Sequence, residues 1–404
     1  MRRVVVTGLG VVSALGIGRD RHFEGLRDGR VGIGPLTRIS LENLSITIGA
    51  QVPDYDETEH FSRSQLTLYD RVTQLATLAG REAVAQSGIE IDEALATRTA
   101  VVMGSSLGGM TTIDNNYKLT YGEGKTRVHP FLVPRLMANA PASHLSMEHG
   151  AKGPNWTVST ACSSGNHAIG QAFHLIRSGG ADAALCGGAE AALVWGTLKA
   201  WEGLRVMSKT ACRPFSKTRD GMVQGEGAAV LVIEELERAK ARGATILGEI
   251  CGFGMTSDAG DIVTPSQADA ARAIRDAMAD AKMGAEEVGY INAHGTATTI
   301  NDRTEAGAIR NVLGEHAARV PVSSTKSMHA HCIGAAGAIE AAAVLMALSE
   351  GVIPPTASHE EEDPEIGLDV VPNTAREATV HAALSNSFAF GGLNAVLAFR
   401  RFTG

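Results

Sequence analysis

The segment STKSMHAHCIGAAGAIE, Ser324 to Glu340, sets Lys326, His329, His331, Cys332 and Glu340 in a background of Ala, Gly and Ile, and reads as one small-residue helix. Ionisable side chains in such surroundings cost free energy unless they are paired or put to use. Three roles suit these residue types. His329, His331 and Cys332 are acceptable ligands for zinc or another transition metal, yet H-x-H-C matches none of the usual ligand spacings and no C-x-x-C pair occurs in the chain. Alternatively, the histidines are core groups satisfied by backbone carbonyls. In the third reading the segment is one wall of an active site whose nucleophile lies elsewhere.

A candidate nucleophile stands in VSTACSSGNHAIGQAF, where Cys162 falls between a β-like run and a helix that carries Ala168, Ile169, Ala172, Leu175 and Ile176 on one face and stops at Ser178-Gly179-Gly180. Unsatisfied N–H groups and the positive end of the macrodipole lower a thiol pKa at a helix N-terminus, so a thiolate is expected at Cys162. Cys186, inside an apolar run, reads instead as an inert core thiol. In GYINAHGTATTINDRTEAGAI an apolar strand ends at His294, which presents an imidazole beside the hydroxyls of Thr296 and Thr298. Asp302 and Glu305 have the spacing of an N-cap and its capping-box partner. The turn Gly391-Gly392 in SNSFAFGGLNAVLAF offers backbone amides to an oxyanion.

These groups need a scaffold. The chain has 404 residues, 44% hydrophobic but only 4% aromatic, with 46 Gly, which predicts closely packed layers of Ala, Val, Ile and Leu in an α/β protein of two domains or two similar halves. Short apolar runs at 4–6, 99–103, 183–186, 228–233, 288–293, 320–323 and 395–399 read as strands, the first entering a glycine turn at Gly8 and Gly10. The charged helix EELERAKARGA precedes the expected boundary, which divides the chain into 1–250 and 251–404. A net charge of −8 leaves no broad basic surface for nucleic acid. Five cysteines in a chain with ample core predict a reducing, cytoplasmic setting. No apolar run is expected to span a membrane, since Glu340 and Glu350 interrupt the longest.

Together, TACSSG, NAHGTAT, STKSM followed by His331 and GAAGAIE, and NSFAFGG resemble the motifs of the β-ketoacyl-[acyl-carrier-protein] synthases of the type I/II class, in the thiolase superfamily, over nearly the whole chain. That resemblance implies a duplicated five-layer αβαβα thiolase fold, a homodimer, and decarboxylative Claisen condensation of an acyl-enzyme with malonyl carrier protein. Carried over by position, it makes Cys162 the nucleophile, His294 and His331 the pair at the malonyl thioester, Lys326 the lysine that tunes the site and Glu340 its acidic partner. The amides of Cys162 and Phe390 form the oxyanion hole, and Thr296 and Thr298 hold the pantetheine arm. Leu107, Leu132, Trp201 and Phe390 line the acyl pocket. Lys125, Arg127 and Arg205 meet the acidic carrier. No metal and no cofactor is implied, because both substrates ride on the 4'-phosphopantetheine of acyl carrier protein.

The chain departs from the common pattern at His329-Ala330-His331-Cys332, Ala389, Leu393 and Trp201. With LKAWEGLR these departures resemble the nodulation protein E branch of that family, whose members make specialised acyl chains. Two other roles on the same fold are a coenzyme A-dependent thiolase or acyltransferase, with Cys332 as its second cysteine, and a silent chain-length-factor subunit, which lacks the nucleophile that Cys162 provides.

Overall fold

The computed structural model describes residues 1–404. Ten principal strands run β1 Val4–Ser13, β2 Thr99–Gly104, β3 Asn155–Val158, β4 Ala183–Glu190, β5 Gly227–Glu235, β6 Gly248–Ser257, β7 Tyr290–Asn292, β8 Val322–Ser323, β9 Ala382–Ala389 and β10 Leu393–Arg400. Five long helices pack on them: α1 Arg71–Ser87, α2 Ser164–Arg177, α3 Gln267–Asp280, α4 Thr299–Leu313 and α5 Ala336–Glu350.

The first five strands lie in the order β1-β5-β4-β2-β3 and the second five in the order β6-β10-β9-β7-β8. Within each half the first two pairings are antiparallel and the last two parallel. The same strand order with the same pairing senses, twice, is a duplication that residue identity hides. The two half-sheets touch edge to edge only where Val4–Val6 pairs with residues 248–250.

The inner strands alternate between two cores, which is why they read as unbroken apolar runs. Ala184, Cys186, Leu231 and Ile233 face the central core, whereas Ala183, Leu185, Val230 and Val232 face α1. In the second half Ala383, Ala395 and Leu397 face the centre, and Leu384, Val396 and Ala398 face α3 and α4. Helices α2 and α5 fill the space between the half-sheets, giving the layers α1, sheet, α2 with α5, sheet, α3 with α4. With its preceding turn, α5 is apolar and long enough to cross a membrane, but it is the buried central helix of this sandwich.

Three expectations need correction. The strand at Val4 does not turn at Gly8 and Gly10; β1 continues to Ser13, with a bulge between Val6 and Gly8. Those glycines admit α1, since a Cβ on Gly10 would lie 1.9 Å from the Ala79 carbonyl oxygen. The expected division at 250/251 falls inside β6, which begins at Gly248. Finally, Ser324 to Glu340 is not one helix. A single turn, Lys326–His329, stops at Ala330 (φ 59°), a 3-10 turn spans Ile333–Ala335, and α5 starts only at Ala336.

Candidate active site

The duplication puts two chain segments in corresponding places. Cys162 lies between β3 and the central helix α2, and Lys326 to His331 lies between β8 and the central helix α5. His294 follows β7 on the same side of the second half-sheet. Cys162, His294 and His331 line one cavity of about 240 Å³, together with Thr296, Thr298, Trp201, Phe390 and, at its mouth, Arg205.

Cys162 is 6% exposed and follows Ala161, a non-glycine residue at φ 49°. A left-handed alanine persists only where its surroundings over-determine it. Here the hydroxyls of Ser106 and Ser164 both donate to the Ala161 carbonyl, at 2.7 and 2.6 Å. The N–H groups of Cys162 and Phe390 donate to no acceptor within the chain, so both are free for a substrate oxygen. Those of Gly391 and Gly392 are already given to Ile262 and Ala389, so the glycines shape the turn while the amide before them is the free donor.

His294 is held by its backbone. Its N–H and that of Gly295 donate to the two oxygens of Glu305, at 2.8 and 2.7 Å, and Asn386 Nδ2 donates to the same carboxylate at 3.1 Å. This overturns the capping-box expectation. Thr298 occupies the N-cap of α4, and Asp302 and Glu305 lie one and two turns inside it with no exposure. Three residues apart, they share a helix face directed into the core, where Asp302 accepts the Phe215 N–H at 2.8 Å and approaches Arg219 at 3.7 Å.

The imidazoles of His294 and His331 meet edge to face, ring centroids 5.5 Å apart. Lys326 Nζ is ion-paired with Glu340, both fully buried, and lies 3.5 Å from His294 Nδ1. An ammonium only donates, so His294 Nδ1 accepts and the ring proton sits on Nε2. Both ring nitrogens of His331 are buried without a partner. Burial, reinforced by the Lys326 charge, holds both histidines well below their ordinary pKa, so they are neutral donors at pH 7. Burial likewise lifts the Glu340 carboxyl, against the pull of Lys326.

The expected thiolate is corrected as well. Burial pushes the Cys162 thiol up to about 12, against the lowering influence of Lys326. At rest Cys162 is therefore a thiol, and any attack by its sulfur requires that the proton be taken. Alkylation of Cys162 by iodoacetamide should then rise about tenfold per pH unit from pH 6 to 9, because a raised thiol pKa leaves thiolate scarce throughout that range. A rate already level by pH 7.5 would show that the helix amides outweigh burial.

Other expected residues fall outside the cavity. His329 bonds Thr325 Oγ1 at 3.0 Å and the Ala330 carbonyl at 2.9 Å, and Cys332 donates to the Glu226 carbonyl at 3.5 Å, so these side chains part from His331 rather than converge as ligands. Leu107 and Leu132 do not line it. Lys125 pairs with Glu123 at 2.9 Å on an exposed segment, and neither it nor Arg127 reaches the mouth. Trp201 does line it, stacked on Phe390 with centroids 5.9 Å apart.

Sequence reading missed Val206, Met222, Val263 and Ile300 in the wall, and the buried placement of two acids behind it. One is Glu305. The other is Glu190, the last residue of β4, without exposure and without a cationic partner. Burial pushes its carboxyl up to about 7, while the amides of Ser106, Gly334 and Leu107 pull it down. A charge closing the apolar run ALCGGAE was the available signal.

Comparison with known proteins shows the family to which the chain is related. Residues 1–239 match the family model described as Beta-ketoacyl synthase, N-terminal domain, and residues 247–360 match Beta-ketoacyl synthase, C-terminal domain. Nodulation protein E of Rhizobium leguminosarum bv. trifolii is 46% identical over 400 residues, covering 99% of each chain. A 3-oxoacyl-[acyl-carrier-protein] synthase 2 of Synechocystis sp. is 42% identical over 409 residues, covering 99% of this chain and 98% of its own. Among solved structures, the ishigamide ketosynthase/chain length factor superposes with a TM-score of 0.94 at 38% identity, covering 100% of both chains. A ketosynthase in the complex AntDE:AntF with a type II polyketide acyl-carrier protein gives 0.89 at 30% identity, covering 99% of this chain and 100% of that one. Two family models, full-length relatives and a cavity that gathers one thiol, two neutral imidazoles and two free amides lead to one assignment: this chain belongs to the β-ketoacyl synthase family.

Proposed function

We propose that the protein is a 3-oxoacyl-[acyl-carrier-protein] synthase that extends an acyl chain by decarboxylative condensation with a malonyl group, both carried by acyl carrier protein. The observation that carries this reading is the pair of unpaired amides beside a thiol that shares its cavity with two neutral imidazoles. Cys162 Sγ attacks the acyl thioester, an imidazole in the cavity takes its proton and returns it to the departing carrier sulfur, and the negative carbonyl oxygen is held by the Cys162 and Phe390 amides until the carrier thiol leaves. A malonyl thioester then enters. Its carboxyl–carbon bond breaks to release carbon dioxide, and the charge left on the enolate oxygen is stabilised by His294 Nε2–H and by His331. The enolate carbon attacks the acyl-Cys162 carbonyl, the same amides hold the oxyanion, and the thiolate leaves as the β-ketoacyl product forms and takes one proton from water to restore the resting thiol. Atoms and electrons balance without a redox partner.

The Thr296 and Thr298 hydroxyls, 3.1 Å apart, fit the amides of a pantetheine arm, and exposed Arg205 fits an acidic carrier at the entrance. The coenzyme A thiolase reading needs a second cysteine in the cavity, and Cys332 is buried behind it. Stacked Trp201 and Phe390 fill space beside the nucleophile and favour a narrow range of acyl chains. The test is to supply octanoyl or palmitoyl groups on carrier protein or on coenzyme A, with the matching malonyl thioester. Product from the carrier thioesters supports the synthase; product from the coenzyme A thioesters alone supports the rival.

The assembly we propose is a homodimer in a cytoplasmic setting. Tyr117, Leu119, Tyr121, Val128, Phe131 and Val133 are exposed on one segment, and β3 ends the sheet with an open edge. Sedimentation should give about twice the chain mass of 42.1 kDa. A monomer would overturn this assembly.

A further inference from the structure

Two of the site's three working side chains stand next to strained backbone, on different halves of the duplicated fold. Ala161, before Cys162, has φ 49°; Ala330, before His331, has φ 59°; and Ile333, two residues after His331, has φ 45°. None is glycine, so something must hold each arrangement against relaxation. One group reaches both. Glu190 Oε2 accepts the Ser106 N–H at 2.8 Å and the Gly334 N–H at 3.1 Å, while Oε1 accepts the Leu107 N–H at 3.3 Å. Ser106 carries the connection onward, because its hydroxyl donates to the Ala161 carbonyl. Gly334 is the residue after Ile333, and a Cβ there would meet Glu190 Oε2 at 2.8 Å, so the turn is closed tightly on the carboxylate.

We propose that Glu190 is a positioning residue that ties the Cys162 elbow to the His331 turn, so that one buried carboxylate sets nucleophile and imidazole in register across the two halves. It touches no substrate and does not line the cavity. A carboxylate is the group that can do this, since its two oxygens accept several N–H bonds at once and a glutamine would turn a donor toward donors. Misplacement of either segment by about 1 Å is enough to slow a step on the order of 100-fold.

The inference rests on the condensing reading, and its test separates the two. Acyl transfer is followed as mass gained by the protein from octanoyl- or palmitoyl-loaded carrier protein. Decarboxylation is followed as carbon dioxide released from malonyl-loaded carrier protein without an acyl donor. E190Q should slow both steps, each by about 10- to 100-fold. S106A, which removes the hydroxyl's bond to Ala161 and its 3.4 Å contact with Ser164 Oγ but keeps the Ser106 N–H on Glu190, should slow acyl transfer alone. The double variant should transfer the acyl group no more slowly than E190Q, because both changes break one connection. A purely structural role would lower the melting temperature and leave both rates of the folded protein unchanged, which overturns the proposal. So would an E190Q that slows one step only, or additive losses in the double variant. Should E190Q not fold, E190D replaces it under the same criteria, and unchanged acyl transfer in S106A is by itself contradictory. Wild-type protein that neither takes an acyl group nor releases carbon dioxide counts against the synthase reading and not against this connection.

Discussion

Cys162→Ala protein, mixed with an acyl-loaded carrier, gains no acyl mass and forms β-ketoacyl product at least about 10⁴-fold more slowly than wild type. Losses of that size follow when the nucleophile of a covalent mechanism is removed, because the remaining groups cannot form the intermediate they are arranged to stabilise. The scaffold has little reason to change. Cys162 Sγ faces the cavity and makes no hydrogen bond to another side chain, so no buried partner is left unpaired. Unfolding midpoints within a few degrees of wild type would locate the loss in chemistry. Unchanged product formation would instead make the chain a subunit that shapes a partner's pocket, the role in which a nucleophile is dispensable.

The second large effect is in stability. Glu340→Ala strips the only carboxylate from Lys326 and leaves an ammonium with no solvent exposure, 3.5 Å from His294 Nδ1. Removing one partner of a buried ion pair costs about 3–5 kcal/mol, since the other charge stays desolvated. Urea unfolding should register that loss as a lower midpoint. Lys326→Met combined with Glu340→Leu, of similar volume and no charge, should recover most of it. It should not recover condensation. Without a donor at Nδ1 the His294 ring is no longer fixed with its proton on Nε2, the atom that must face the enolate. A double variant as active as wild type would reduce the pair to a structural role.

The chemistry was more legible in the sequence than its support. Cys162, His294, His331 and Lys326 each stand at the end of an apolar run or against one, and the structure gathers them in one place because the two halves repeat a strand order. That repetition could not be read from residue identities, since strand order is a property of pairing. Gly8 and Gly10 were read as a turn because glycine commonly marks one; here they mark the crossing of α1 over β1, a contact with residues some seventy positions away. Asp302 and Glu305 show the limit of local rules. Three-residue spacing describes a capping box and equally a shared helix face, and only the position of Thr298 decides between them. Glu190 and Glu305 accept backbone N–H groups brought to them by the fold, and nothing in the sequence marks which amides will be waiting. The thiol expectation failed for a related reason. The helix N-terminus is visible in sequence, while the depth at which it is buried is not.

The central claim is that one cavity both holds an acyl group on Cys162 and releases carbon dioxide from a malonyl thioester to extend it. The most direct measurement is intact-protein mass in two stages. Wild type is first loaded from octanoyl- or palmitoyl-carrier protein, then mixed with carboxyl-labelled malonyl-carrier protein while released carbon dioxide is counted. The account predicts that the acyl mass appears, then disappears with one carbon dioxide released per acyl group lost and a β-ketoacyl carrier formed in equal amount. Acyl mass that disappears without carbon dioxide, or carbon dioxide released while the acyl-enzyme persists, would contradict it.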